Sequence, residues 1–429
     1  MDILIYGGYL FMNIKTIEAG LQGCTCGRAH HTNIRAVEIG SGITANTGEI
    51  LTQNGFPKNI LLVADKNTLL AGAGVVESLL GSGFTIKQHI YDNLRTADME
   101  QVEVLEKLSA GTDGIFSVGS GSLNDICRLA AFRQHKAFAI YATAPSMDGF
   151  ASNSAPITKN NFKYSYPAVQ PSVIIADTKV LAAAPAELKS AGFGDMIGKY
   201  IGLADWRIAN LITGEYYCPK IAALSEQAVE KIAALADKVT ENDEESAAAI
   251  MESLVLTGLC MGFADSVRPA SGAEHVLSHF WEIKKLQQGL LSDYHGKKVG
   301  VATVLVNKIY RDMAQVEDIN PVYEDIDWEN LKLVYGEGLV DDMIKANSPT
   351  DTQGITPEHL KACWGEIRRI VAETLPENEE LLRHMNAAGT PVSAAEIDVT
   401  PALCELGIKY SAFMRYRLTL MRLMPMLNI

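Results

Sequence analysis

The chain lacks an excess of basic residues: 37 Lys and Arg stand against 51 Asp and Glu, a formal net charge of −14. Phosphate backbones require a basic face, so no nucleic-acid partner is expected. There is no uninterrupted run of eighteen or more apolar residues, so no membrane span is expected either. Met1 and Asp2 are followed by apolar residues from Ile3 to Phe11, without a basic leader or a small-residue cleavage site. That segment does not read as a signal peptide, and Met12 is an equally good start, with residues 1–11 an extension. The cysteines number only seven, an odd count, and Cys127, Cys260 and Cys404 lie inside apolar segments. This usage suits a reducing cytoplasm better than a disulfide scaffold. Charged residues make up only 21% and hydrophobic residues 48%, which excludes a disordered chain. Internal repeats and low-complexity segments are also lacking.

What is present is enough chain for two domains, at 429 residues. The first part alternates short apolar runs with helical periodicity. Ile60 to Val63 reads as a buried strand ending at Asp65, Ala73 to Leu80 as a helix, Phe84 to Ile90 as a strand and Val102 to Leu108 as a helix. Further strands are expected at Ile115 to Val118, Phe138 to Tyr141 and Val173 to Ala176. Such interleaving implies a parallel sheet covered on both faces. Beyond about residue 185 helical patterns dominate: Gly198 to Ile212, Ile221 to Leu235, Glu245 to Met261, Val299 to Met313, Pro357 to Glu373 and Pro401 to Leu423. The expectation is an α/β domain over residues 1–186 and an all-α domain over 187–429. Residues 314–330 hold six acids and no base around Pro321, and read as a solvated loop. The apolar C-terminus, Leu418 to Leu427, is expected to pack against its domain.

Two strand ends carry small polar turns. Gly119-Ser120-Gly121-Ser122-Leu123-Asn124-Asp125 joins a strand to a helix, and backbone N–H groups at such a start form an anion site that glycine leaves open. The next strand ends in Thr143-Ala144-Pro145-Ser146-Met147-Asp148-Gly149. In parallel α/β sheets ligands bind outside the carboxyl ends of the strands, so a dinucleotide or another phosphate ligand belongs here. Asp65 also ends a strand, where a carboxylate either accepts hydrogen bonds from a ribose, favouring NAD over NADP, or caps the next helix.

Three later segments offer metal-type ligands: Gly192-Phe193-Gly194-Asp195 at the start of a helical pattern, Ser271-Gly272-Ala273-Glu274-His275-Val276-Leu277-Ser278-His279, and Tyr294-His295-Gly296. His275 and His279 share one helix face. One carboxylate with two imidazoles makes an open divalent-cation site; the competing reading is a set of satisfied core histidines. A compact cluster, Cys24-Thr25-Cys26 with His30 and His31, also has zinc-ligand chemistry, but no matching ligand pair follows nearby, and a structural or incidental role is the simpler reading.

Taken together these segments resemble the iron-containing alcohol dehydrogenase and dehydroquinate synthase-like superfamily, and within it the longer, bacterial form of the glycerol-1-phosphate dehydrogenase branch. The Ser-Met-Asp-Gly turn and the Ser-Gly-x-Glu-His-x-x-x-His segment carry most of the resemblance, which spans about residues 55 to 310; Ser120 stands where superfamily loops often have a glycine. The resemblance implies a Rossmann-like N-terminal domain, a helical C-terminal domain and a cleft between them. It implies reduction of a phosphorylated ketone, dihydroxyacetone phosphate, to sn-glycerol 1-phosphate by NAD(P)H, assisted by one divalent metal, zinc or nickel. By motif position Asp195, His275 and His295 would hold the metal. Asp148, Asp195 and His279 would contact substrate, with His279 also orienting an oxygen or relaying a proton. Gly119, Ser120, Gly121, Ser122, Leu123, Thr143, Ala144, Pro145, Ser146 and Ser152 would contact the cofactor, with Asp65 beside them. The expected state is a cytoplasmic homo-oligomer, dimer or larger, whose product enters phospholipid or other glycerophosphate metabolism. Lys163, Lys199 and Lys297 are candidates to hold the substrate phosphate, against a reading as surface lysines. A polyol dehydrogenase, a dehydroquinate synthase-like cyclase and a non-catalytic relative are the alternatives.

Overall fold

The computed structural model describes residues 5–6, 9–160 and 162–429. Part of the apolar N-terminal stretch read as no signal peptide thus lies outside the described residues. Among the described residues ten strands are formed: β1 (Ile5–Tyr6), β2 (Tyr9–Phe11), β3 (Ala36–Gly40), β4 (Asn59–Asp65), β5 (Thr85–Tyr91), β6 (Gly114–Gly119), β7 (Ala137–Ala142), β8 (Ser154–Lys159), β9 (Phe162–Pro167) and β10 (Val173–Asp177). Eight of them make one sheet in the order β1-β2-β3-β10-β7-β6-β4-β5, parallel from β3 to β5 and antiparallel at the β1–β2 end.

The central strands are continuous apolar runs because both faces are covered. Alternate side chains point to opposite faces. Leu61, Ile115, Ile140 and Ile174 enter one core, and Leu62, Phe116, Tyr141 and Ile175 the other. The first of these cores runs on without a break into Phe193, Met196 and Leu254 of the helical half. The sheet and the helices therefore share packing rather than merely abutting. A separate core fills the rest of the helical half around Trp281, Val301, Tyr310 and Ile367.

The helices expected from periodicity form, with shifted ends, at Lys199–Thr213, Pro219–Ala233, Glu244–Ala264, His295–Ala314 and Pro357–Thr374. Helix Glu244–Ala264 is long and apolar enough to cross a bilayer, but 94% of its apolar window is buried inside the protein, where it serves as a core helix. Three expectations are corrected. The pattern from Pro401 to Leu423 is not one helix: helix Pro401–Tyr410 passes through a 3-10 turn at Ser411–Met414 into extended backbone, and a new helix begins at Leu420, capped by Thr419. Asp195 does not start a helix but lies near the end of Ala186–Ile197. The acidic 314–330 segment is irregular up to Trp328 but not simply solvated. Ile319 is buried, Glu324 turns inward to Arg422 and Thr352, and Val322 donates its N–H to the Met426 carbonyl at 2.8 Å. Arg422 is fully buried and also meets Asp351 at 2.9 Å, so this loop neutralises an interior charge.

Asp205 joins four elements of the helical half. Its carboxylate accepts from the Ala273 N–H (2.8 Å), the Leu420 N–H (2.8 Å) and the Tyr310 hydroxyl (2.9 Å) without solvent exposure. Asp205→Ala would strand three buried donors and is expected to cost about 3 kcal/mol or more, read as a lower denaturant midpoint.

Candidate active site

The candidate site lies where the carboxyl ends of β4, β6 and β7 face the helical half, around a cavity of about 520 Å³. Helix Gly121–Arg133 opens onto it with an N-terminus that no side chain caps, leaving its first N–H groups free for an anion. Ser120, Gly121, Ser122 and Leu123 line the cavity, as do Ser146, Asp148 and Ser152. Gly119, Thr143, Ala144 and Pro145 stand behind the wall; the Thr143 N–H donates to the Gly119 carbonyl at 3.1 Å and ties the two turns together. The Ser120 hydroxyl bonds across to that of Ser146, and Ser122 donates to the Arg95 carbonyl at 3.1 Å. Asp65 lines the cavity and also caps its helix, accepting from the Thr68 N–H at 2.8 Å. A free helix N-terminus beside two small polar turns fits the pyrophosphate of a dinucleotide.

Asp195, His275 and His295 come together although they belong to three helices, Ala186–Ile197, Ala273–Gln287 and His295–Ala314. Their nearest ligand atoms all lie within 4.8 Å of one another. Asp195 Oδ1 is 3.3 Å from His275 Nε2 and 4.0 Å from His295 Nε2. Two of the helices meet backbone to backbone. A Cβ on Gly194 would strike the Gly296 carbonyl, and one on Gly296 the Ala191 carbonyl. Gly192 in turn admits the Pro145 carbonyl, which seats the β7 turn on the helix that carries Asp195.

The charges around this cluster are fixed by burial. Lys199, fully buried, pairs with Asp148 at 2.6 Å and Asp195 at 3.0 Å. Burial opposes ionisation of Asp195, but Lys199, His275 and His295 outweigh it and hold the carboxyl well below its usual range. Burial pushes Asp148 up, reinforced by Asp195 and opposed by Lys199. Burial also pushes His295 down to about 3 and His279 well below its ordinary value, with Lys163 adding to both, so each imidazole is neutral. His279 stacks on His295 with ring centroids 5.4 Å apart and lines the cavity.

The donor set fits a divalent cation. His275 Nδ1 lies 2.5 Å from Glu274 Oε1 and gives its hydrogen to that carboxylate, leaving a lone pair on Nε2. Burial opposes a charge on His275, but Asp195 and Glu274 outweigh it and raise its pKa, so the space between Nε2 and the Asp195 carboxylate, 3.3 Å apart, favours a positive centre, a proton or a cation. His295 Nδ1 and His279 Nε2 are buried without partners. Neutral imidazole and ionised carboxylate are the ligating forms.

Of the three lysines considered for the phosphate, only Lys163 lines the cavity, carried in by the β8–β9 hairpin and held by Glu282 at 3.0 Å. Lys199 is committed to the two aspartates, and Lys297 lies by Glu187 and Asp293 at 3.5 Å each. The cavity wall instead adds Lys298, at 2.9 Å from Glu282, with Arg415 and Arg417 from the C-terminal arm. No spacing motif marks these three; Arg415 and Arg417 interrupt an apolar stretch, which was the one signal available.

Residues 38–185 match the family model for iron-containing alcohol dehydrogenases. The fold is that of an archaeal halo-thermophilic alcohol dehydrogenase from a Red Sea brine pool, with a TM-score of 0.61 over 90% of this chain and 92% of that one at 13% identity. Family match and architecture together place the chain in the iron-containing alcohol dehydrogenase class. Among curated proteins, the NAD(P)+ glycerol-1-phosphate dehydrogenase of Bacillus licheniformis is 30% identical over 95% of this chain and 92% of its own length. That of Bacillus subtilis is 34% identical over 76% and 87%. The chain belongs to the glycerol-1-phosphate dehydrogenase family.

Gly296→Ala would force the Asp195 and His295 helices apart, at a cost of about 3 kcal/mol or more if the fold cannot yield. The expected result, read by calorimetry and metal analysis, is a lower Tm together with a lost or weakened active-site metal.

Proposed function

We propose that this protein reduces dihydroxyacetone phosphate to sn-glycerol 1-phosphate with NAD(P)H, reversibly, with residues 1–186 binding the nucleotide and 187–429 the metal and substrate, the latter joined at the cavity by Asp148 and Lys163. The observation that carries the reading is the convergence of Asp195, His275 and His295 at a cavity bounded on one side by the uncapped Gly121 helix and on the other by a cationic wall. When bound, the nicotinamide supplies the hydride and a divalent cation, zinc or nickel, supplies Lewis-acid polarisation of the ketone.

The chain's own residues do the rest. Asp195, His275 and His295 would hold the metal, and Glu274 orients His275 for that task. Lys199 holds Asp148 and Asp195 in one arrangement, placing Asp148 to receive a substrate hydroxyl. His279, neutral and unpaired at Nε2, orients a substrate oxygen or passes the proton that the C2 oxygen gains as hydride reaches C2. Lys163 and Lys298 share one carboxylate, Glu282, while Arg415 and Arg417 line the same cavity without a carboxylate in bonding distance among the described residues, so this wall carries surplus positive charge in a chain of net charge −14. That surplus suits the phosphate, and the unphosphorylated polyol reading leaves it without a role. Asp65 accepts from the adenosine ribose in addition to capping its helix, which favours NAD. We further propose a homo-oligomeric, cytoplasmic enzyme whose product serves phospholipid synthesis.

NADH oxidation should be rapid with dihydroxyacetone phosphate, absent with dihydroxyacetone, and lost on chelation. Turnover with dihydroxyacetone alone would move the protein to the polyol dehydrogenases. Lys298→Ala should raise KM for the phosphorylated ketone about 10- to 100-fold with a smaller change in kcat, the cost of a charged hydrogen bond. Burial pushes Lys298 down to about 8 despite the pull of Glu282. It is cationic below that pH and neutral above it, so KM should climb between pH 7 and pH 9 in the native enzyme and climb less in Lys298→Ala.

A further inference from the structure

Cys24, Cys26 and His30 lie on the segment before β3, and the structure brings a fourth ligand to them from far along the chain. Cys218, which precedes helix Pro219–Ala233, places its Sγ 3.4 Å from Cys24 Sγ and 3.7 Å from His30 Nε2. Cys26 Sγ is 3.2 Å from the same imidazole nitrogen. All four ligand atoms lie within 4.8 Å of one another, and all four residues are buried or half-buried. His31 points to solvent and takes no part. The absence of a second ligand pair nearby in sequence, which favoured an incidental role, is made good by Cys218, whose separation no motif spacing spans.

The geometry points to a structural zinc site, Cys24, Cys26, His30 and Cys218 binding one Zn²⁺ as a closed tetrahedron that staples the N-terminal segment to the helical half. A tetrahedral ion with metal–sulfur bonds of about 2.3 Å separates its sulfurs by about 3.8 Å. The separations around the cluster are of that size, so the ion needs only side-chain adjustments. The surroundings are those of a metal ligand set. His30 Nδ1 lies 2.9 Å from the Phe263 carbonyl and donates to it, which leaves Nε2 with its lone pair directed at the three sulfurs. The Tyr216 hydroxyl lies 3.4 Å from Cys26 Sγ, a donor to a thiolate. Arg28 stacks over the Tyr216 ring at 3.7 Å and donates to the Ala264 carbonyl at 2.7 Å, bringing a cation beside a site of net charge −1. The loop that carries Cys218 is itself fixed, with Trp206 Nε1 donating to the Tyr216 carbonyl at 2.6 Å. Gly23 and Gly27, both in the left-handed region, turn the chain on either side of the cysteine pair.

Three thiolates and one imidazole select zinc over the oxygen-loving cations, and binding releases the protons the thiols still hold. All four positions are filled by protein, so the site has no place for substrate. It differs from the Asp195 cluster, which keeps open positions.

The test is the metal content of the full-length protein from zinc-supplemented cells, in the native form and in His275→Ala, Cys26→Ser and Cys218→Ser. His275→Ala, which removes an active-site ligand, should retain about one zinc per chain whose X-ray absorption shows sulfur at about 2.3 Å and nitrogen at about 2.0 Å. Cys26→Ser and Cys218→Ser should each lose that zinc while keeping the active-site metal. Should these variants fail to fold, cobalt loaded into the native protein should give thiolate-to-metal charge-transfer absorption. Unchanged zinc in the cysteine variants, a zinc spectrum in His275→Ala with nitrogen and oxygen alone, absence of the charge-transfer band, or a Cys24–Cys218 disulfide in the native protein overturns the assignment.

Discussion

The candidate site depends on two helix backbones touching. Helices in contact normally stand 8–10 Å apart because side chains fill the gap. Where Ala191 and Gly194 of one helix meet Gly296 and Gly300 of another, backbone touches backbone, and Asp195 and His295 converge on one point. The same approach seats the Pro145 carbonyl on Gly192. The turn after β7 and the Asp195 carboxylate are thus parts of one contact. The proposed nucleotide cradle and the Asp195–His275–His295 cluster are positioned relative to each other by backbone, not by long side chains.

Around this contact, burial decides protonation. Lys199 would be costly alone in the interior, as would Asp148 and Asp195; together they compensate, with the Asp148 N–H adding a bond to Asp195 at 2.9 Å. His279 and His295 stay neutral for the opposite reason: burial and nearby cations disfavour a further positive charge. An acidic chain can thus present a ligating centre and a cationic wall within one cavity, since local pairing rather than net charge sets the field there.

The glycine loop, the Ser-Met-Asp-Gly turn and the His275–His279 pair were legible because each is a local pattern: a strand end, a helix start, two residues on one helix face. Sheet class and most helices were legible from periodicity for the same reason. The break after Tyr410 was not, because apolar residues recur on both sides of it and no glycine or proline marks it; what ends the helix is docking of the arm, with Leu420 bonded to Asp205 and Arg422 to Asp351. Glu324 read as solvated for want of any local sign of Arg422, its partner 98 residues away.

By itself, the sequence determined the alternation of strands and helices, the open helix start at Gly121 and the presence of ligand-type side chains at Asp195, His275 and His295, because these follow from residue type and short-range backbone geometry. Tertiary structure alone decided that Lys199 neutralises the aspartates while Lys298, Arg415 and Arg417 face the cavity, and that Cys218 completes the set begun at Cys24. Those outcomes rest on which helices cross and where the chain returns. Such contacts are specified by packing of the whole core, and no local spacing encodes them.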